Sequence, residues 1–258
     1  MKLKNKVAIV TGSGSGIGKG IALAYASEGA KVIIADLNEE TGAKTAQEIK
    51  AEGGDAIFIR IDITNEDNVN SSINYVYEKY GKIDILVNNA GFKHVEKIND
   101  LAYQNWRKVI SINLDGAFLM TKACLKLMYL AKTGSIIYIG SVSSKQGSKF
   151  QAPYVAAKHG LLGLCRVVAK EAASHNVSAN LICPGYIKTS LLEKQISHKA
   201  KVLNQSENEI IESMLSETVN NQFITSKDIS DCAVFLASFK TNALTGQSLM
   251  VNHGCYME

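Results

Sequence analysis

Short apolar runs alternate with longer stretches of helical periodicity along almost the whole chain. The apolar runs occupy residues 7–10, 31–36, 56–61, 84–87, 135–139, 178–183 and 248–251. The helical patterns between them occupy residues 17–28, 39–52, 65–80, 101–131 and 153–174. Strands that are apolar on both faces are typical of a parallel sheet that is covered by helices on both sides. The pattern therefore predicts an α/β fold with a doubly wound, seven-stranded parallel sheet in a three-layer α/β/α sandwich.

The domain organisation follows from the same pattern. The chain of 258 residues contains two prolines and no linker-like stretch, which predicts a single domain over 1–258. One segment, at about 187–222, breaks the alternation because it is polar and helical in pattern. It follows the sixth strand, where a doubly wound sheet binds its ligands. Long insertions at such a position are often lids, so we predict a substrate lid there.

Composition and charge exclude several classes of function. The net charge is only +4 and both signs are interspersed, which disfavours a nucleic-acid partner. The apolar runs are too short for a membrane span or for the core of a signal peptide. The five cysteines are dispersed without a Cys-x-x-Cys pair, and neither cysteines nor histidines have metal-ligand spacing. We therefore predict reduced thiols, a cytoplasmic location, no membrane association and no metal site.

A glycine-rich loop, Thr-Gly-Ser-Gly-Ser-Gly-Ile-Gly at 11–18, joins the first strand to the first helix. Glycines let the backbone approach a pyrophosphate, and a helix N-terminus offers N–H groups and the positive end of a dipole. The strand-loop-helix context favours a Rossmann-type dinucleotide site over a plain tight turn. The predicted cofactor contacts in this loop are Gly12, Ser15, Gly16, Ile17 and Gly18.

The choice between NAD and NADP depends on Asp36, which ends the second strand 18 residues after Gly18. A carboxylate at this position accepts hydrogen bonds from the adenosine ribose and repels a 2′-phosphate. Asp36 therefore favours NAD. The alternative is that Asp36 is only the N-cap of the next helix. Lys19 could weaken the preference for NAD, although the helical pattern favours a place on the helix surface.

Tyr154 and Lys158 are four residues apart in a predicted helix, so their side chains share a face. An unperturbed tyrosine has a pKa of about 10, too high for acid/base work near neutral pH. A neighbouring ammonium favours the phenolate and lowers that pKa. The spacing suggests a proton-transfer pair, although such a pair also arises by chance on many helices.

The motifs taken together resemble the short-chain dehydrogenase/reductase family over nearly the whole chain. They are the glycine-rich loop, Asn88-Asn89-Ala90-Gly91, Asn113, Ser141, Tyr154, Lys158 and Pro184-Gly185. The resemblance implies that Asn113, Ser141, Tyr154 and Lys158 form the catalytic set. Ser141 would bind the substrate oxygen, and Tyr154 would transfer the proton. Lys158 would lower the tyrosine pKa and bind the nicotinamide ribose, while Asn113 would hold a water.

The alternatives are that Ser141 and Ser143 are turn residues and that Asn113 bonds within its helix. Further cofactor contacts also come from the resemblance. The residues that it assigns to the adenine, the ribose and the nicotinamide end are Asp62, Ile63, Asn89, Ala90, Gly91, Pro184, Gly185, Ile187 and Thr189.

Within the family, several stretches are similar to the bacterial D-3-hydroxybutyrate dehydrogenases. These stretches are residues 154–160, 182–185, 191–196, 222–225 and 233–238. The similarity implies interconversion of (R)-3-hydroxybutyrate and acetoacetate with NAD as cofactor. The family resemblance also implies a homotetramer.

The residues that would bind the substrate carboxylate match that group only in part. Gln195 matches the glutamine of the lid, whereas Lys93, Ser143 and Gln151 replace a glutamine, a histidine and a lysine. Our hypothesis is that Lys93 supplies the cation, because a charge-assisted hydrogen bond can come from either wall of a pocket. With Ser141 and Tyr154, these residues would form the substrate site. The alternative is that Lys93 points to solvent and that the substrate is different.

Two other functions stay open at this point. One is a reductase of another small 3-oxo compound, such as a 3-oxoacyl thioester, with NAD or NADP. The other is a catalytically silent NAD-binding scaffold, which the presence of all four candidate catalytic residues disfavours.

Overall fold

The computed structural model describes residues 1–188, 192, 193, 196, 197, 199, 200 and 204–257. Its strands form one parallel seven-stranded sheet in the order β3-β2-β1-β4-β5-β6-β7. The strands are β1 (Val7–Thr11), β2 (Lys31–Asp36), β3 (Asp55–Arg60), β4 (Ile85–Asn88), β5 (Gly134–Ile139), β6 (Val177–Pro184) and β7 (Ser248–Val251). The strand order reverses between β1 and β4, which is where such sheets bind their ligands. The predicted doubly wound fold is confirmed.

Helices cover both faces of the sheet. They are α1 (Gly16–Ser27), α2 (Glu39–Ala51), α3 (Glu66–Tyr80), α4 (Tyr103–Ile110), α5 (Gly116–Ala131), α6 (Ala152–Glu171), α7 (Glu207–Leu215) and α8 (Ser226–Ala237). One apolar cluster joins the sheet to α3, α5 and α6 through residues such as Ile73, Met120 and Leu161. A second joins it to α1, α2 and α8 through residues such as Ile21 and Ile49. These two layers of core enclose the strands as predicted.

The predicted helix at 101–131 is interrupted in the structure. A π-helical turn, Ser111–Asp115, separates α4 from α5. Inside this turn the Asn113 amide donates to the carbonyl of Val109 at 2.9 Å and to that of Phe92 at 2.6 Å. A π-turn widens the helix by one residue, and such turns are frequent at functional sites. The apolar periodicity could not show it because the pattern continues on both sides.

Helix α8 was not predicted from the periodicity. It begins with a capping box, in which Thr225 accepts from the Asp228 amide while Asp228 accepts from the Thr225 backbone. Ile229 and Ala233 are buried against the sheet, and the Tyr25 hydroxyl donates to the Ala233 carbonyl at 3.1 Å. The capping box at 225–228 was a sequence signal for this helix start.

The segment predicted as a lid has its own apolar cluster. Leu192, Ile196 and Ala200 are buried with Ile210 and Met214 of α7. An isolated parallel bridge between Ile187 and Ile224 joins the two ends of the segment. Within the described residues, no helix is both long enough and apolar enough to span a bilayer.

Candidate active site

A cleft of about 1340 Å³ lies at the carboxyl ends of the strands, where the strand order predicted a ligand site. The loops that follow β1, β2, β4, β5 and β6 all contribute to its lining. Pockets for a single small ligand usually measure roughly 300–1,000 Å³. The cleft therefore has room for a dinucleotide and a small substrate together.

Two glycines of the loop after β1 have the left-handed backbone that favours glycine. Gly12 has φ +62°, and a Cβ there would lie 2.9 Å from the Ala90 Cα. Gly16 has φ +54°, and a Cβ there would meet nothing within 4 Å. Gly16 therefore borders open space at the N-terminus of α1, and this space suits a pyrophosphate. The residues present fit a dinucleotide.

Gly18, a predicted cofactor contact, lies beneath the glycine-rich loop. A Cβ on Gly18 would lie 2.3 Å from the Gly12 carbonyl oxygen and 2.4 Å from Asn89 Nδ2. Gly18 is buried and lets α1 pack closely under the loop. Gly18 therefore shapes the loop that would hold the dinucleotide.

A hydrogen-bond network holds the loops after β1 and β4 together. The Asn89 amide donates to the carbonyls of Thr11 at 2.8 Å and Gly12 at 3.1 Å. The Thr11 hydroxyl in turn accepts from the backbone N–H groups of Asn89 and Ala90. These bonds position Asn89, Ala90 and Gly91 along the cleft.

The Asp36 carboxylate lies in the cleft at the end of β2. It accepts from the backbone N–H of Gly14 at 2.8 Å and of Asn38 at 2.9 Å. The N-cap of α2 is Asn38, which accepts from Thr41, so the N-cap alternative for Asp36 is excluded. Lys19 pairs with Glu48 at 2.6 Å, so its ammonium is engaged on the helix surface.

Tyr154 and Lys158 meet in the cleft one turn apart on α6. The Lys158 ammonium lies 5.4 Å from the centre of the Tyr154 ring and donates to the Ile139 carbonyl at 2.7 Å. Burial lowers the pKa of Lys158 to about 8. Burial also raises the pKa of Tyr154 to about 12, and a hydrogen bond with Ser141 opposes this rise.

The pKa of Tyr154 thus lies above its usual value and not below it as expected, because burial disfavours the charged phenolate. Burial disfavours the charged form of Lys158 in the same way.

Asn113 lies beneath the same site in the π-turn. Its Oδ1 is buried and has no hydrogen-bond partner among the described residues, while its amide nitrogen is engaged by two carbonyls. Buried polar atoms of this kind usually bind ordered water. A Cβ on Gly91 would lie 2.9 Å from this oxygen, so glycine keeps the space beside it open. The arrangement fits the predicted role of Asn113 as a water ligand.

At the substrate end, Lys93 points into the cleft and not to solvent. Its ammonium lies 5.2 Å from the centre of the Tyr154 ring. Burial, with repulsion from Lys199 as a smaller cause, lowers the pKa of Lys93 to about 8. Gln151 lines the same wall, and its Oε1 is buried without a partner in the described part of the chain.

Ser141 and Ser143 form a short turn after β5. The Ser141 hydroxyl accepts from the Ser143 N–H at 3.1 Å, so the predicted turn role and a role in the cleft coexist. The neighbouring loop is tied to the loop after β4, because the Glu96 N–H donates to the Phe150 carbonyl at 2.8 Å. This bond fastens the Lys93 and Gln151 segments to each other.

Of the other predicted contacts, Asp62, Ile63, Pro184, Gly185 and Ile187 line the cleft, as do Ser15 and Ile17. Thr189 and Gln195 lie outside the described residues. No group of three potential metal ligands occurs in the part of the chain that the structure describes.

Several cleft residues were missed in the sequence. Tyr186 donates to Glu217 at 2.8 Å, and burial, with this carboxylate, raises the pKa of Tyr186. Lys199 and Cys255 also line the cleft. Tyr186 follows the Pro-Gly motif directly and could have been found from it. Cys255 comes from the C-terminal tail, and no sequence signal places it there.

A family model described as short chain dehydrogenase matches residues 6–200. The chain belongs to this family. A structure of a variant of actinorhodin polyketide ketoreductase with NADPH superimposes with a TM-score of 0.94 at 31% identity, covering 97% of each chain. The predicted family and fold are thereby confirmed.

Curated relatives extend over nearly the full length. An uncharacterized oxidoreductase, YxjF, of Bacillus subtilis is 38% identical over 98% of each chain. A D-beta-hydroxybutyrate dehydrogenase of Rhizobium meliloti is 35% identical over 96% of this chain and 98% of its own. A 3-oxoacyl-[acyl-carrier-protein] reductase of Buchnera aphidicola is 34% identical over the whole of both chains. The relatives thus support an oxidoreductase that acts on CH–OH or oxo groups, and they differ in substrate.

Proposed function

We propose that this short-chain dehydrogenase interconverts a small 3-hydroxy acid and its 3-oxo acid with NAD, with (R)-3-hydroxybutyrate and acetoacetate as the pair. The observation that carries the proposal is the partly buried ammonium of Lys93, 5.2 Å from the ring of Tyr154. A buried cation at this distance from the proton-transfer group favours a substrate with an anionic end. The R. meliloti relative supports the same pair of compounds.

The proposed substrate site consists of Lys93, Ser141, Ser143, Gln151, Tyr154 and Gln195. Lys93 takes the place of the lysine that the resembled enzymes have at position 151, so the cation comes from the opposite loop. Lys199 adds a second positive charge near Lys93. The lid at 187–222 would cover an acid bound here.

The proposed chemistry assigns one task to each side chain. When bound, the nicotinamide cofactor accepts or supplies the hydride. Ser141 holds the substrate oxygen by a hydrogen bond, and Tyr154 takes or gives the hydroxyl proton. Lys158 binds the nicotinamide ribose from its place beside the Ile139 carbonyl. Asn113 holds a water that links Lys158 to solvent.

We propose NAD as the cofactor because the Asp36 carboxylate lies in the cleft where an adenosine ribose would bind. The next residue, Leu37, is apolar and 57% exposed, and it offers no charge to a 2′-phosphate. The proposed cofactor contacts are Gly12, Ser15, Gly16, Ile17, Asp36, Asp62, Ile63, Asn89, Ala90, Gly91, Tyr154, Lys158, Pro184, Gly185, Ile187 and Thr189.

The first experiment measures NAD reduction with (R)- and (S)-3-hydroxybutyrate, longer 3-hydroxy acids, sugars and secondary alcohols. The second compares acetoacetate with its neutral ethyl ester in Lys93→Ala. We expect kcat/KM to fall about 100-fold for the acid, because a charge-assisted hydrogen bond is worth roughly 1.5–3 kcal/mol, and much less for the ester. Lys108→Ala removes another lysine of the cleft and is the matched control. Equal losses for acid and ester, or turnover of uncharged alcohols only, would contradict the proposal.

A second candidate is a reductase of 3-oxoacyl thioesters with NADPH. The B. aphidicola relative and the ketoreductase structure with NADPH favour it. Oxidation of NADPH by an acetoacetyl thioester, faster than oxidation of NADH by acetoacetate, would select this candidate. A catalytically silent scaffold would bind NADH without turning over any compound of the panel.

We further propose a homotetramer in the cytoplasm. Helices α5 and α6 expose apolar side chains that a partner subunit could cover, with Phe118 47%, Leu130 78% and Val167 51% exposed. Light scattering after size-exclusion chromatography tests the assembly. A monomer at micromolar concentration would contradict it.

A further inference from the structure

Two ammonium groups lie close to the ring of Tyr154. Lys158, one turn further along α6, is 5.4 Å from the ring centre. Lys93, from the loop after β4, is 5.2 Å from it. The two lysines come from segments more than 60 residues apart, so only the tertiary structure brings them to one phenol. The family set of Asn, Ser, Tyr and Lys assigns no role to a cation at position 93.

The position of Lys93 matters because of how a phenolate distributes its charge. The ring face attracts cations already in the neutral phenol, within about 6 Å of the ring centre. Ionisation adds negative charge to the ring and its oxygen, so a cation at this distance favours the phenolate. A nearby opposite charge at about 4–6 Å lowers the pKa of an acid by roughly one to three units. Solvent and salt screen this effect less inside a cleft than on the surface.

We propose that Lys93 is a positioning residue for proton transfer, a second cation that stabilises the phenolate of Tyr154 together with Lys158, whatever the charge of the substrate. This role differs from holding a substrate carboxylate, because it needs no substrate anion. It rests on the chemistry of the family and not on the proposed acid substrate. An acid bound to Lys93 would reduce the effect by neutralising the ammonium.

The charged and titratable groups around the phenol set the direction of the pH dependence. Lys93, Lys158 and Cys183 face Tyr154, and Lys199 is the charged group that faces Lys93. The Cys183 thiol acts against the phenolate only if it ionises. Burial lowers the pKa of Lys93, while a phenolate beside it favours the ammonium, so Lys93 and Tyr154 titrate as a coupled pair and loss of the cation raises the pH at which the phenol ionises.

The test is the pH profile of kcat for oxidation of ethyl 3-hydroxybutyrate, a neutral alcohol, by NAD. Oxidation requires the phenolate, so its rate rises with pH through the phenol midpoint. We expect Lys93→Met to move this midpoint up by roughly one pH unit. Lys93→Arg keeps a charge at every pH used, so its midpoint should equal or lie below that of the wild type.

Lys108→Met is the matched control. Its ammonium lies 4.9 Å from the Phe92 ring in the same cleft, against a ring that cannot ionise. The pH midpoint of this variant should equal that of the wild type. A shift as large as that of Lys93→Met would show a general effect of cleft charge and would overturn the proposal.

An unmoved midpoint in Lys93→Met, with a higher KM for acetoacetate, would limit Lys93 to substrate binding and overturn the inference. If the ester is not oxidised, the tyrosinate absorbance that Tyr154→Phe removes is titrated in the same variants and must show the same shift. The proposed function can fail independently of this inference. It fails if acids and neutral esters are turned over equally well, even when the pH midpoint of Lys93→Met still moves.

Discussion

The half of the cleft that we propose for the cofactor is formed mainly by backbone, whereas the half that we propose for the substrate is formed by side chains from loops far apart in the sequence. Gly12 and Gly16 shape the first half through left-handed backbone and open space. Lys93, Gln151 and Lys199 shape the second half through charge and hydrogen-bonding groups. A backbone site tolerates few changes because its geometry depends on the chain path. A side-chain site can exchange its cation between walls while the fold stays the same.

The largest expected effect belongs to the residue where the two halves meet. Tyr154→Phe removes the proton donor and keeps the ring, so we expect kcat to fall about 10²–10⁴-fold, as for loss of a general acid/base. Binding of NADH, followed by its fluorescence, should change less than about threefold. If Tyr154→Phe lost turnover and NADH binding together, the role of Tyr154 would be to maintain the fold and not to transfer the proton.

Asp36→Asn tests the side chain that we propose selects NAD over NADP. Removing the negative charge relieves repulsion of a 2′-phosphate, so the ratio of kcat/KM for NAD over NADP should fall at least tenfold. Asp55→Asn removes a charge at the opposite end of the neighbouring strand β3 and is the control. If the ratio of kcat/KM for NAD over NADP were unchanged in Asp36→Asn, this carboxylate would not determine the cofactor.

The pH dependence tests the charge of the substrate half. Lys93 is protonated below its pKa of about 8, which burial holds below the usual range, so it attracts an acid there and loses this attraction as the pH rises. The KM for acetoacetate should rise about tenfold per pH unit well above pH 8, since only the protonated lysine binds the anion. The KM for the neutral ester should stay flat in the same buffers. Parallel curves for acid and ester would contradict an anion site at Lys93.

The smallest expected effect compares two glycines with left-handed backbone. Gly16→Ala and Gly53→Ala each place a Cβ in open space, at φ +54° and +82°, so each should lower the free energy of unfolding by about 1 kcal/mol. Chemical denaturation measures this loss. Only Gly16→Ala should also weaken NADH binding, because Gly53 lies outside the cleft. Equal NADH affinities in both variants would remove Gly16 from the cofactor site.

The sequence predicted the strands well, and it predicted that the glycine-rich loop and Asp36 follow β1 and end β2, because these signals are local. A glycine loop between a strand and a helix, and an aspartate at the end of the next strand, each indicate their role within a few residues. The same local pattern includes Gly18, which the structure packs against Gly12 and Asn89. The interruption of the predicted helix at 101–131 near Asn113 was not predicted, because a π-turn leaves the apolar pattern intact.

The side chains of the proposed substrate half come together only through the fold. Lys93 and Gln151 were recognised by comparison of positions, yet the approach of Lys93 to the Tyr154 ring and the bond between the two loops needed coordinates. Lys199 and Cys255 carried no signal at all. The pKa of Tyr154 was expected to fall and instead rises, because the four-residue spacing of Tyr154 and Lys158 says nothing about burial.

By itself the sequence determined the doubly wound sheet, the dinucleotide loop and the order of Ser141, Tyr154 and Lys158 along the chain. These features depend on periodicity and on the backbone preferences of glycine, which are properties of short segments. The tertiary structure decided which charges face the phenol and how strongly burial opposes their ionisation. Electrostatic interactions depend on distance through space and on desolvation, and neither quantity is written in the spacing of residues along a chain.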